Sequence, residues 1–340
     1  MVFMSMDIGR ELAYLCARCR STIRSVMKTL ATAWLMVITL AFHADPINQV
    51  HGDVTPAHPA INAKYHAYLP VSMRADTTVF AVIGDYGSIN GYEALVASLV
   101  KRWSPAFIAT VGDNNYPSGA AATIDAAVGQ YFASYIYPYY GTYPYTPTVA
   151  INRFFPALGN HDWLAPGAAP YLSYFTLPGN ERYYDIVRGP VHLFFLDSDA
   201  GEPDGVTATS TQGVWLKNQL ALSTSCWNLV FVHHAPYSSS THGSNTFTQW
   251  PYQAWGAQAV FSGHDHTYER VMKNGMPYIV NGAGGSALYP FGAAVAGSAV
   301  RYNTLHGAMR ITATTSTLTM QFVNINNIIV DTLALNGRCS

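Results

Sequence analysis

The chain is short of charge and of cysteine, and beyond residue 44 it has no basic tract. Of its 340 residues only 11% are Asp, Glu, Lys or Arg, while 49% are hydrophobic. That composition excludes a polyelectrolyte and supports a substantial core, in one large globular domain or two smaller ones. Beyond residue 44 Lys and Arg do not cluster, so there is no electrostatic footprint for nucleic acid. Formal net charge is −1, but residues 1–44 hold five Lys/Arg against two Asp/Glu, which leaves the rest near −4. No Asn-x-Ser/Thr acceptor occurs, so glycosylation gives no clue to compartment. Repeats of solenoid period and long low-complexity tracts are also missing.

Two of the four cysteines, Cys16 and Cys19, lie in a basic N-terminal segment that reads as a leader. Arg18, Arg20, Arg24 and Lys28 precede an apolar run over 30–42, and Asp45-Pro46 follows. About 13 apolar residues are too few for a membrane span, which needs ~20, and fit the hydrophobic stretch of a signal peptide. Residues 1–44 are therefore expected to be a leader cleaved near Ala44, with Met27 as an alternative start and an uncleaved anchor as the alternative fate. No stable span is expected after processing, and the expected location is secreted or periplasmic. Cys226 and Cys339 remain as an even pair. A disulfide tying the C-terminus to the segment before Val230 and two buried free thiols both fit.

Residues 45–76 are polar and rich in Pro, His and Ala, and read as an arm; residues 77–340 read as the domain. Within it, apolar runs predict strands over 77–83, 106–111, 154–158, 191–196, 229–232, 259–261 and 277–280. Further strands are expected over 308–315, 318–324 and 328–335. Helical spacing covers 91–103, with Leu95, Leu99 and Val100 on one face, and also 123–136 and 213–222. The tyrosine- and proline-rich stretch 137–145 must be irregular, since its prolines break both kinds of ladder. Strand–helix alternation followed by a strand-rich tail predicts a layered α/β fold with a mixed sheet or two packed sheets.

Five of the predicted strands end in residues that bind metals. Asp85 follows Gly84, and Asp113 lies in Gly112-Asp113-Asn114-Asn115-Tyr116. Asn160 and His161 follow Gly159, His233 and His234 precede Ala235-Pro236, and His264-Asp265-His266 follow Gly263. Taken singly, each is an ordinary turn or a satisfied polar pair. His264 and His266 carry more weight, because alternate residues of an extended segment point the same way. Together they set two carboxylates, an amide and three imidazoles at strand ends, where open α/β sheets place their sites. Two ions about 3.5–4 Å apart need a bridging carboxylate and terminal ligands for each, and Asp113 is suited to bridge. Imidazoles suit Zn, Fe or Cu, and carboxylate and amide oxygens take harder ions. A phenol ligand must lose a proton whose free pKa is about 10, so Tyr116 points to a trivalent centre.

In this order and spacing the motifs resemble those of the purple acid phosphatases, a branch of the metallophosphoesterases. The broader superfamily usually has Asp-x-His in its first motif; here Gly87 stands in place of that His, and Tyr116 is present. The short segment before Thr77 is similar to the compact, mammalian-type enzymes. The resemblance implies a four-layer α/β/β/α sandwich with two packed mixed sheets. It also implies Fe(III) on Asp85, Tyr116 and His266, a divalent Fe, Zn or Mn ion on Asn160, His233 and His264, and Asp113 bridging. Hydrolysis of phosphomonoesters by a hydroxide held between the ions would follow, with His161 and His242 contacting the phosphate and one of them protonating the leaving group. Substrates would be small phosphate esters or phosphoproteins. A phosphodiesterase or nucleotidase on the same metals is the alternative enzyme, and an inactive metal-bearing binding protein is the alternative of another class.

Overall fold

The structure is a computed structural model that describes residues 77–146, 150–337 and 339; the expected leader and arm lie outside them. β1 (Thr78–Ile83) is a continuous apolar run, as a strand covered on both faces requires. It pairs parallel with β2 (Ile108–Thr110), which pairs parallel with β3 (Phe154–Phe155). On its other side β1 runs antiparallel to β11 (Gly307–Ala313), followed by β12 (Thr317–Asn324) and β13 (Ile329–Asn336). This first sheet has the order β13-β12-β11-β1-β2-β3.

The second sheet has the order β10-β8-β9-β7-β6-β5-β4. Its parallel centre is β5 (Val191–Phe195), β6 (Trp227–Phe231), β7 (Ala259–Ser262) and β9 (Met276–Asn281). β4 (Tyr184–Arg188), β8 (Tyr268–Lys273) and β10 (Ser298–Tyr302) add antiparallel pairs at the flanks. Both sheets are thus mixed, as expected. The parallel strands of each deliver their carboxyl ends to one place.

Alternation along β5 shows the layering. Phe195 joins the core cluster containing Phe80 and Ile311 of the first sheet. Its neighbour Phe194 packs with Leu216 and Leu220 on the opposite face. Phe195, Phe231 and Phe261 stack between the sheets with centroids 4.9 and 5.0 Å apart. Each such burial contributes on the order of 1.5–3 kcal/mol. The sheets are further joined by Tyr268 stacked on Phe322, and by Trp227 Nε1–H donating to the Thr314 carbonyl. Cys226 and Cys339 form a disulfide with Cα atoms 5.3 Å apart, which resolves the open pairing.

Helix α1 (Gly91–Arg102) starts where Asn90 accepts the N–H groups of Tyr92 and Glu93, and Glu93 accepts Ile89 N–H in return. Its buried face is Val96, Ala97, Leu99 and Val100, whereas Leu95, expected there, is about half exposed. The helix expected over 123–136 is instead a broken run: Ala121–Ile124, a π turn Asp125–Gly129, Gln130–Phe132 and a 3₁₀ turn Ala133–Tyr135. Asp125 opens the π turn. Its carboxylate accepts the hydroxyls of Tyr139 and Tyr174 at 2.7 Å and the N–H and hydroxyl of Thr142 at 2.8 and 2.9 Å. The carboxylate therefore faces the tyrosine-rich stretch and pins it to the domain. α2 (Asn160–Trp163) is a single turn, and α3 (Thr211–Leu222) covers the outer face of the second sheet.

Candidate metal centre

Five strand ends build the site: β1 gives Asp85, β2 gives Asp113 and Tyr116, β3 and α2 give Asn160 and His161, β6 gives His233, and β7 gives His264 and His266. Asp85, Asp113 and His264 all have left-handed backbones, with φ of 53°, 53° and 68°. Non-glycine residues rarely hold that conformation unless their surroundings impose it, and such strain clusters at functional sites. Gly112 (φ 98°) has no alternative, since a Cβ there would lie 2.6 Å from His233 Nδ1. Gly87 is also fixed: a Cβ would run into the Asn114 carbonyl, so the superfamily's histidine has no room at this position.

Asp85, Asp113 and His266 each place one ligand atom within 4.8 Å of the others, all three buried. Tyr116 completes this group. Its hydroxyl donates to Asp113 Oδ2 at 2.7 Å and lies 3.3 Å from Asp85 Oδ1 and 3.1 Å from His266 Nε2. His266 Nδ1 faces the Ala287 carbonyl at 2.9 Å, which turns Nε2 toward the carboxylates. Across Asp113 a second group forms, with His233 Nε2 and His264 Nδ1 each 2.9 Å from Asn160 Oδ1. His233 Nε2 is also 3.4 Å from Asp113 Oδ1, so Asp113 borders both groups.

Burial pushes Asp85 up to about 6, with the nearby Asp113 charge adding and His266 opposing. Burial likewise lifts the Tyr116 phenol well above its usual range, reinforced by Asp85 and Asp113. His266 goes up: burial lowers it, but the Asp85 carboxylate outweighs that. His233 and His264 are held well down by burial and by neighbouring imidazoles. A neutral His233 spends its one proton on the Val111 carbonyl, 2.8 Å from Nδ1. Its bare Nε2 then meets the Asn160 amide oxygen at 2.9 Å, two lone pairs facing each other as the amide is oriented. Two buried carboxylates, a phenol and opposed lone pairs form a donor set that cations satisfy.

The motif His264–His266 is not extended; His264 is left-handed, and the two rings serve different groups rather than pointing the same way. His161 sits at the mouth, with its N–H donating to Asp113 Oδ1 and its Nδ1 2.6 Å from the Pro117 carbonyl. His242 is exposed and stacks on His264 with centroids 4.1 Å apart. Sequence reasoning missed the buried support beneath. Asn114 donates from its amide to the Ala157 carbonyl and to Asp162, and accepts from Thr110 and Tyr86. Asp162, raised to about 7 by burial and the Asp113 charge, also accepts Gly159 N–H and so ties the Asp113 loop to α2. His234 has a partner as well: its Nδ1 lies 2.8 Å from Ser198 Oγ. Nothing in the spacing of these residues marks them.

Residues 78–268, more than half of the chain, match the family described as calcineurin-like phosphoesterase. The chain belongs to that family. It is accordingly a metal-binding hydrolase of phosphoric esters. Within the family it is similar to tartrate-resistant acid phosphatase type 5 of Rattus norvegicus, 25% identical over 251 residues that cover 62% of this chain and 73% of that protein. The Homo sapiens counterpart is 25% identical over 238 residues, 60% of this chain and 72% of that protein. Among solved structures, purple acid phosphatase PPD1 from yellow lupin (Lupinus luteus) seeds superposes with TM-score 0.61 at 16% identity, covering 76% of this chain and 54% of that one. GAP50, described as the anchor in the inner membrane complex of Plasmodium, superposes with TM-score 0.61 at 18% identity, covering 77% and 89%. At such identities these two likenesses establish the fold and no more.

Proposed function

We propose that this phosphoesterase is a phosphomonoesterase of the purple acid phosphatase type. In this reading Asp85, Tyr116 and His266 hold Fe(III), while Asn160, His233 and His264 hold a divalent Fe, Zn or Mn ion, with Asp113 shared. The observation that carries it is the Tyr116 hydroxyl, set among Asp85, Asp113 and His266 at 2.7–3.3 Å. Burial and two carboxylates oppose its ionisation, so a phenolate there needs a strongly charged cation.

Bound as a pair, such ions supply positive charge toward the phosphoryl oxygens and make water a competent nucleophile near neutral pH. The protein's own residues do the rest. The Pro117 carbonyl accepts His161 Nδ1–H and so orients Nε2, which in the imidazolium form carries the second proton and gives it to the departing alkoxide oxygen. His242, stacked on His264 at the exposed rim, would contact the phosphate. Ala287 and Val111 carbonyls lock the His266 and His233 rings in place.

The GAP50 likeness means that this fold also serves as an anchor, so the full ligand set rather than the fold favours an enzyme. Metal-replete protein should hydrolyse p-nitrophenyl phosphate much faster than its bis ester. The reverse preference would make it a diesterase, and no turnover on either would make it a binding protein. The Cys226–Cys339 disulfide supports export to an oxidising compartment, secreted or periplasmic. N-terminal sequencing from the native host should then begin near residues 43–48; soluble cytoplasmic protein with residues 1–44 intact would refute export.

A further inference from the structure

Between the two imidazoles of the last motif lies a carboxylate, Asp265, to which the proposed ligand set gives no task. It is fully buried. Its Oδ1 accepts the backbone N–H of His242 at 2.8 Å, and its Oδ2 accepts the N–H of Gly243 at 3.1 Å. Two successive N–H groups of the turn thus converge on one carboxylate, and Gly243 then continues in the left-handed region with a φ of 72°. His242 itself is exposed, on a stretch that contributes to no named helix or strand. Its ring lies against His264 at 4.1 Å and meets the edge of Tyr289 at 5.4 Å. Tyr289 is itself stacked on His266 at 4.1 Å, and its N–H donates to the His266 carbonyl.

We infer that Asp265 is a positioning residue that fixes the His242 loop to the metal motif, so that the imidazole is held over the site instead of sampling solvent. The inference rests on the phosphomonoesterase reading, in which His242 contacts the phosphate. Geometry favours it over a purely local role. A carboxylate satisfied only within its own turn would not reach back 23 residues to the N–H of an exposed histidine stacked on His264. Asp265→Asn keeps an acceptor for His242 but turns an NH₂ toward the Gly243 N–H, so one of the two bonds is lost.

The test is a double-mutant cycle in the metal-loaded enzyme, comparing wild type, Asp265→Asn, His242→Ala and the pair. The readouts are kcat and KM on a series of aryl phosphates, together with metal content and thermal midpoint. Asp265→Asn should lower kcat by about 10–100-fold with both metals retained, and should lower it no further in the His242→Ala background. Losses that multiply in the double variant, an unchanged Asp265→Asn enzyme, or loss of metal would each overturn the inference. If Asp265→Asn does not fold, Asp265→Glu keeps the charge, displaces it by one methylene and carries the same cycle. A wild type inert toward phosphomonoesters would remove the functional reading, whereas multiplying losses in an active enzyme would remove only the role of Asp265.

Discussion

Asp85, Tyr116 and His266 stand on one side of the Asp113 carboxylate, and Asn160, His233 and His264 on the other. Both groups come from the ends of parallel strands, and both are largely buried, yet their electrostatics are opposite. On the Tyr116 side a private carboxylate and a phenol stand together, and the Asp85 charge raises His266. On the Asn160 side every private donor is neutral, and burial favours the uncharged form of His233 and His264. The same backbone architecture therefore puts a second carboxylate and a phenol on one side of a shared carboxylate and only neutral donors on the other, each group reaching within about 3 Å of it. Such an asymmetry would favour a more highly charged cation on the Tyr116 side, which is what the proposed metal pair requires.

The comparison breaks most completely at the shared residue. Asp113→Ala should empty both pockets and reduce hydrolysis to background, and Asp113→Asn, which keeps shape but loses charge, should hold metal poorly. Two tightly bound ions with near-native turnover in either variant would show that the pockets do not share Asp113. His161→Ala should leave both ions in place and slow turnover by about 10²–10⁴-fold, less for esters with good leaving groups. An equal loss across leaving groups would make His161 a phosphate anchor. Asn160→Ala should weaken the divalent ion while sparing the trivalent one, as metal analysis after dialysis would reveal; loss of both together would deny that the pockets are separate.

Glu93 sharpens the contrast from outside the site. It too is buried, but no cation group surrounds it; its Oε1 has no hydrogen-bond partner, and burial raises it to about 9. An acid whose folded pKa is raised holds a proton that the unfolded chain has released, so its stability contribution is present below about 4.5 and lost as pH climbs toward 9. In that window stability should fall by roughly 1 kcal/mol per pH unit, and Glu93→Gln should flatten the dependence. Denaturant midpoints between pH 5 and pH 9 would check this; parallel curves for variant and wild type would mean that Glu93 ionises without penalty.

The strand ends were legible because buried parallel strands announce themselves as apolar runs, and the runs before Gly84, Gly112, Gly159 and His233 stop at a glycine or a candidate site residue. β8 was not legible. Its Glu269, Arg270 and Lys273 hide the period, since Glu269 is buried accepting Ser239 and Ser298 and Arg270 pairs with Asp331 of the other sheet. β4 and β10 are short flanking strands, with Val187, Ala299 and Arg301 facing solvent. The candidate site residues could be picked out from residue type and position alone. Their supports, Asn114, Asp162 and Asp265, could not, because a carboxylate or amide that props a neighbouring loop looks in sequence like any turn residue. The disulfide was ambiguous for a similar reason: 113 residues separate Cys226 from Cys339, and only the fold brings them together.

The charge asymmetry of the two pockets is tested most directly by the visible spectrum of iron-loaded protein, wild type beside Tyr116→Phe. A phenolate donating into Fe(III) gives a charge-transfer band, and removing the oxygen while keeping the ring should abolish the band without unfolding the domain. The account predicts a coloured wild type and a colourless, folded Phe variant whose iron is more easily reduced. An iron-loaded wild type without the band, or a Phe variant that keeps it, would contradict the account and leave the Tyr116 pocket with no claim on a trivalent ion.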